Sequence, residues 1–316
     1  MKENQNTMTD KSTKISVELA TRLLNEFDAD ITISNIEQYR NTNHNSIAYL
    51  LSDQNNEKYV LKILSETDSS CRKEMFISHY LQEIIPIPEV YYVNESCSII
   101  DMPYQISEFV TGISLREYLT AKQQISDNLI TGIAESLALL HRSNYEHAGY
   151  LNEQLEPVHG LLTINEWHQV FLAGLAGNRL GTELKNKTFA YINKNKDLLD
   201  ELSTSFVLSH GNFSIDNIIV LDEKLQAIMD WESALSAPNV FDIGQLFRDA
   251  SLFPKKTKRL FAEAYNSSSL NPLQSNWQAQ AELMDCINLL GLLSLEALSL
   301  DLQKKLIAII NKYVLD

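Results

Sequence analysis

The spacing of apolar residues along this chain changes character near residue 112, and that change limits the architectures open to it. Before it, Ile31 to Tyr39, Ser46 to Leu51 and Lys58 to Leu64 are short β-branched or aromatic runs parted by Asn-rich stretches at 41–45 and 53–56, the pattern of an antiparallel meander. Further strand-like runs follow at Glu89 to Val93, Ser98 to Asp101 and Tyr104 to Phe109. Two helices accompany them. One, capped by Ser16, covers 17–27, where Val17, Ala20, Leu24 and Phe27 recur at helical spacing; the other covers 70–83 and is stopped by Pro86 and Pro88. After Gly112 the periodicity is helical over 114–121, 126–142, 163–174 and 183–201, interrupted by strand-like pieces at 206–209, 217–220 and 225–229. From Asp242 it is mostly helical, with a polar break at 266–269. A strand-rich first third and a helix-rich remainder predict an α+β chain of two lobes. The expected divisions are a loose tail over 1–14, an N-terminal lobe over 15–107 and a helical C-terminal lobe over 108–316.

Composition narrows the function. Among the 316 residues, 41 acidic and 26 basic side chains give a net charge of -15, which repels a phosphate backbone, so nucleic acid is not an expected partner. A field of that sign favours cationic ligands. No apolar run approaches the roughly 18 residues of a membrane span, and the opening segment lacks the apolar stretch of an export signal. The expected compartment is therefore the cytoplasm, with no membrane partner. Cys71, Cys97 and Cys286 are too few and too scattered for a disulfide framework or a metal site, and all three are expected as buried free thiols.

The chemistry concentrates in Val207-Leu208-Ser209-His210-Gly211-Asn212-Phe213-Ser214-Ile215-Asp216-Asn217-Ile218-Ile219-Val220, followed by Ala227-Ile228-Met229-Asp230-Trp231-Glu232. An apolar strand runs into a polar loop, and a second apolar strand then delivers a carboxylate at its end. Asn217 and Asp230 are thereby expected at a common site, where an amide oxygen and a carboxylate make hard ligands suited to Mg²⁺.

These residues resemble the catalytic loop and metal-binding segment of the aminoglycoside phosphotransferase and choline kinase-like superfamily, whose fold is the bilobal protein-kinase fold. The likeness runs on through Tyr59-Val60-Leu61-Lys62-Ile63, similar to the strand with the ATP-binding lysine, and Arg72-Lys73-Glu74, similar to the helix start with its partner glutamate. Ile106 to Gly112 resembles the hinge behind the nucleotide base, which includes Glu108 and Val110. Ala134 to His141 resembles a family helix ending in Leu-His, and Phe241-Asp242-Ile243-Gly244 a second aspartate segment. The resemblance spans about residues 30 to 250. It implies that Lys62, Glu74, Glu108 and Val110 hold ATP or GTP, that Asn217 and Asp230 hold Mg²⁺, and that a hydroxyl of a small, cationic, aminoglycoside-like molecule is the acceptor, with antibiotic resistance as the associated role.

Two departures stand against the pattern. The loop at 41–46 has no glycine where related kinases place small residues over the phosphates. Asn212 occupies the position of the catalytic aspartate, and an amide can orient a hydroxyl but cannot take its proton. Three readings stay open: a slow kinase that relies on positioning and metal, a nucleotide-binding pseudokinase with a regulatory or partner role, or an Asp-to-Asn version of an active enzyme made to trap substrate. Asp216 and His210 are the alternative bases within the loop. Protein kinase activity is disfavoured, because no activation-segment pattern follows Asp230.

Overall fold

The computed structural model describes residues 15–39, 46–65, 70–158 and 164–315. The tail at 1–14 and the glycine-free turn at 41–45 lie outside the described residues. The fold is α+β, and the chain forms two compact units: Met1–Asp68 with Val90–Phe109, and Ser69–Glu89 with Val110–Asp316.

The first unit opens with α1 (Val17–Leu24), whose N-terminus is capped by Ser16 Oγ accepting from Leu19 N at 3.2 Å. Strands β1 (Ile33–Gln38), β2 (Ser46–Asp53) and β3 (Lys58–Leu64) follow. The chain then contributes α2 (Ser70–Leu81) to the second unit and returns as β4 (Val90–Asn94) and β5 (Tyr104–Glu108). The five strands form one antiparallel sheet in the order β1-β2-β3-β5-β4. Its central strand, β3, is buried from Val60 to Leu64. Ala20, Leu23 and Leu24 of α1 share a core with Leu51, Leu61, Ile63, Tyr104 and Ile106, and the Tyr104 hydroxyl donates to the Leu23 carbonyl at 3.2 Å, tying helix to sheet. Burial pushes the Tyr104 phenol up to about 12.

Three expectations fail in this unit. The first helix ends at Leu24, with Asn25 as its cap, and Phe27 is exposed. Ser98 to Asp101 is not a strand, because Asn94 Oδ1 accepts from Ser96 N at 2.9 Å and from Ser96 Oγ at 2.7 Å, and the resulting turn carries Cys97 into the left-handed region at φ 52°. Cys97 is accordingly exposed, whereas Cys71 and Cys286 are buried free thiols.

In the second unit, Ile77 and Leu81 of α2 join the larger apolar core, and Lys73 Nζ donates to the Ala234 carbonyl at 3.2 Å. After β6 (Ile113–Ser114) come α3 (Leu115–Lys122), α4 (Asp127–Leu140), β7 (Asn144–Tyr145), β8 (Gly149–Tyr150), α5 (Ile164–Ala173), α6 (Leu175–Lys194) and α7 (Lys196–Leu202). Helix α6 begins earlier than its sequence suggests and is broken at Gly181, where φ is 72°. The strands β9 (Phe206–Ser209), β10 (Ile218–Leu221), β11 (Lys224–Ile228) and β12 (Leu235–Ala237) build two small sheets, ordered β11-β10-β6 and β7-β9-β12-β8. Helices α8 (Val240–Leu246), α9 (Lys255–Ser268), α10 (Trp277–Leu293) and α11 (Leu300–Leu315) complete the unit. A Cβ at Gly244 would stand 2.3 Å from the Ala281 carbonyl oxygen, so glycine is what lets α8 lie against α10. Among the described residues no helix is long and apolar enough to cross a membrane.

Candidate active site

Strand β9 is buried throughout and ends at Ser209, from which His210, Gly211 and Asn212 leave as a loop. Two buried apolar side chains, Phe213 and Ile215, pin that loop to the core, and the next strand, β10, begins one residue after Asn217. Antiparallel pairing of β10 with β11 sets Ile218 opposite Ile228. Met229 N then donates to the Asn217 carbonyl at 2.8 Å, so Asn217 and Asp230 emerge at the same end of one hairpin.

Asp242, fully buried on α8, organises the loop. One of its carboxylate oxygens accepts from His210 N at 2.7 Å and the other from Gly211 N at 3.0 Å. His141, at the end of α4, approaches the same carboxylate with Nε2 at 3.2 Å and holds the Tyr265 hydroxyl at 2.7 Å with Nδ1. Gln245 Nε2 donates to the Gly211 carbonyl at 3.1 Å. Gly211 has φ 82°, and a Cβ there would lie 2.0 Å from the Ser233 carbonyl oxygen, so both the backbone angle and the close approach require glycine.

The alternative bases are both engaged. His210 Nε2 donates to the Met229 carbonyl at 2.8 Å while Nδ1 accepts from Asn212 N at 3.1 Å, an arrangement that needs the neutral ring. Burial pushes its pKa below the ordinary value even with Asp242 nearby. Asp216 is clamped by Arg116 through two hydrogen bonds, Nε to Oδ1 at 2.5 Å and Nη2 to Oδ2 at 2.8 Å. Asn212 is half-buried, and its side-chain amide makes no hydrogen bond to a described residue.

The donor set suits a hard divalent cation. Asn217 Nδ2 donates to the Asn212 carbonyl at 3.0 Å, which leaves its Oδ1 as the atom on offer. Asp230 stands at φ 68° and ψ 67°, a strained backbone for a non-glycine residue. Carboxylate oxygens of Glu74, Asp230 and Glu232 lie within 4.8 Å of one another. Amide and carboxylate oxygens are the ligands Mg²⁺ prefers, and the partial shell they form is the kind that water and phosphate complete.

Of the residues singled out in the sequence, Glu74, Asn212, Asn217, Asp230 and Val110 belong to the second unit, and Lys62 and Glu108 to the first. Lys62 is buried on β3, with Ala48 and Gln105 as its cross-strand neighbours, and Glu108 ends β5 opposite Tyr59. Three residues with evident roles were not singled out as site residues. Glu232 stands inside the quoted motif. Asp242 is a lone carboxylate within the apolar run Val240 to Leu246, a signal that a buried polar contact is needed there. Arg116 had no signal at all, since its partner is 100 positions away.

Comparison with known proteins bears on the family and the fold. The model of the phosphotransferase enzyme family matches residues 35–283, further toward the C-terminus than the motifs alone reach. No curated protein matches the chain at a significant level. Among solved structures, a thermostable mutant of aminoglycoside phosphotransferase APH(4)-Ia in ternary complex with AMP-PNP and hygromycin B is similar, with 14% identity over 93% of this chain and 97% of that one and a TM-score of 0.69. The GDP complex of an aminoglycoside 2'-phosphotransferase-IIIa mutant gives 17% identity, coverage of 94% and 97%, and a TM-score of 0.71. Macrolide 2'-phosphotransferase MphH from Brachybacterium faecium gives 14%, 93% and 97%, and 0.65. At such identities the shared property is the protein-kinase-like fold. With the family model covering most of its length and the His210 to Asp230 hairpin built as described, the chain belongs to the phosphotransferase enzyme family.

Proposed function

We propose that this protein transfers the γ-phosphoryl group of ATP or GTP, with Mg²⁺, to a hydroxyl of a small cationic acceptor, aminoglycosides being the first class to test. The observation that carries this reading is the hairpin that brings Asn217 and Asp230 to one end, beside a loop whose backbone is fixed by Asp242 and whose Asn212 amide is unengaged among the described residues. Family membership supports phosphoryl transfer, and the nucleotide and hygromycin B complexes of similar structures support the two substrate classes. The net charge of -15 favours a cationic acceptor.

In this reading Lys62, Glu74, Glu108 and Val110 serve the nucleotide, the Lys62 ammonium by offsetting triphosphate charge. Asn217 and Asp230 hold the cation, which supplies charge neutralisation and alignment to the phosphates when bound. Asn212 orients the acceptor hydroxyl through its amide oxygen. The acceptor O–P bond forms as the bond between the γ-phosphorus and the bridging oxygen breaks. The hydroxyl proton leaves to solvent, because neither His210 nor Asp216 is available to take it. Transfer is therefore slow for this family.

That same engagement of both alternative bases favours a second reading, a nucleotide-binding protein that regulates or partners another activity. Thermal unfolding with and without millimolar ATP and Mg²⁺ tests what the two readings share. Nucleotide at 100 times its dissociation constant stabilises a fold by about 2.7 kcal/mol when only the native state binds. Lys62→Ala and Asp230→Ala should each diminish the response, and an unchanged melting temperature in the parent chain refutes both readings.

A further inference from the structure

We propose that Arg116 is a positioning residue for the metal-binding end of the loop, acting through Asp216 on the adjoining Asn217; the inference rests on the phosphotransferase reading above. The segment from Asn212 to Asn217 is held on its inner side by the buried Phe213 and Ile215. Within itself it is braced by Ser214 N to the Asn212 carbonyl at 2.8 Å and Asn217 N to the Ser214 carbonyl at 3.0 Å. Its outer side is held by Arg116 alone among the described residues. Arg116 N donates to the Ile215 carbonyl at 3.0 Å, and the guanidinium grips both oxygens of Asp216, the one exposed side chain of the segment.

The frame that carries Arg116 is stiff and joined to the site. Ser114 and Glu117 form a reciprocal cap at the start of α3, so the first helical turn, which includes Arg116, is fixed. Just before it, β6 pairs with β10, with Ser114 opposite Ile219 and Ile113 opposite Val220. The same strand β10 follows Asn217. Arg116 therefore closes a ring of contacts from α3 through β6 and β10 to Asn217 and back through Asp216.

Stability is a poor explanation for the pair. Both side chains are about half exposed, at 56% and 52%, and ion pairs so exposed contribute little to folding. A two-pronged guanidinium contact instead fixes direction, because both carboxylate oxygens are specified at once. Asp249 adds a second negative charge near Arg116, but the direct bonds go to Asp216.

The test uses the full chain and the variants Arg116→Gln, Asp216→Asn and the double substitution. Amide hydrogen exchange across 212–217 is measured without ligand, and Mn²⁺ affinity with ATP present is read by electron paramagnetic resonance. Each single variant should speed exchange within 212–217 while leaving the melting temperature nearly unchanged. Each should also weaken Mn²⁺ binding by about tenfold, the scale typical of a lost support behind a metal ligand. The double variant should be no worse than either single, since the two residues act through each other. Exchange and Mn²⁺ affinity within twofold of the parent in the single variants, or effects that multiply in the double, would overturn the role. A parent chain that takes up no Mn²⁺ with ATP overturns the proposed function and this role with it, whereas parent binding with unaffected variants overturns this role alone.

Discussion

The backbone amide of His210 donates to the Asp242 carboxylate at 2.7 Å, joining the loop that leaves β9 to a helix 32 positions later in the chain. Because Asp242 is fully buried and also holds Gly211 N, the loop's path is set by a charge that water cannot screen. Everything beyond this anchor, including the direction in which Asn212 leaves the loop, depends on it.

Replacing Asp242 with Ala leaves the buried His210 amide, the half-buried Gly211 amide and the buried His141 ring short of an acceptor. Each buried group left unsatisfied costs about 1–3 kcal/mol. Urea unfolding should register a loss of that order or larger, together with loss of the response to nucleotide. Stability equal to the parent would show that the anchor is dispensable.

A second buried charge stabilises the C-terminal helices. Asp285 on α10, fully buried, receives two hydrogen bonds from Arg248 Nε at 3.0 and 3.1 Å, one from Nη2 at 2.7 Å, and one from the Tyr313 hydroxyl of α11 at 2.9 Å. Arg248→Ala strands that carboxylate and should destabilise the fold by about 3–5 kcal/mol. Tyr313→Phe removes one bond to a charged acceptor and should cost about 1.5–3 kcal/mol. The order Arg248→Ala above Tyr313→Phe, read from denaturant midpoints, is the expected result.

Acid sensitivity should trace in part to His168 on α5. It is buried, neither ring nitrogen has a hydrogen-bond partner among the described residues, and burial pushes its pKa below the ordinary value. In the unfolded chain this imidazole binds a proton below about pH 6.5, while in the fold it resists until a lower pH. Between those two values the unfolded state holds more protons, so stability falls as pH falls, by up to about 1.4 kcal/mol per pH unit. His168→Leu should flatten that slope between pH 7 and 5 and also relieve the two unpaired nitrogens. An unchanged slope would assign the acid loss to other groups.

The strands of the first sheet were legible because β3 is a largely apolar run and β5 alternates apolar with polar residues. That Asn217 and Asp230 come to one end of a hairpin was legible because the motif fixes residue type and spacing together. The false strand at Ser98 to Asp101 shows the limit: its residues suit a strand, but Asn94 captures the backbone of Ser96 first. The two-residue strands β6, β7 and β8 carry no periodicity to read, and they exist only because distant segments pair with them. The pairing of Asp216 with Arg116 is invisible for the same reason, since a contact spanning 100 positions leaves no local pattern. Asp242 lay between these cases, its burial implied by its apolar neighbours but its partners unknown.

Turnover of the Asn212→Asp variant, set beside the parent chain with ATP, Mg²⁺ and a panel of aminoglycosides, tests the central claim most directly. A positioned general base contributes about 10² to 10⁴ in rate, or roughly 3 to 5 kcal/mol of barrier. Asn212 makes no side-chain hydrogen bond to a described residue, so a carboxylate there meets an acceptor hydroxyl without displacing an existing contact. The account predicts a gain in phosphoryl transfer within that range and ATP affinity within about twofold of the parent, because in the proposed reading the side chain at 212 serves the acceptor hydroxyl and not the triphosphate. A variant that binds ATP as the parent does yet transfers phosphate to no acceptor contradicts the kinase reading and leaves the regulatory one.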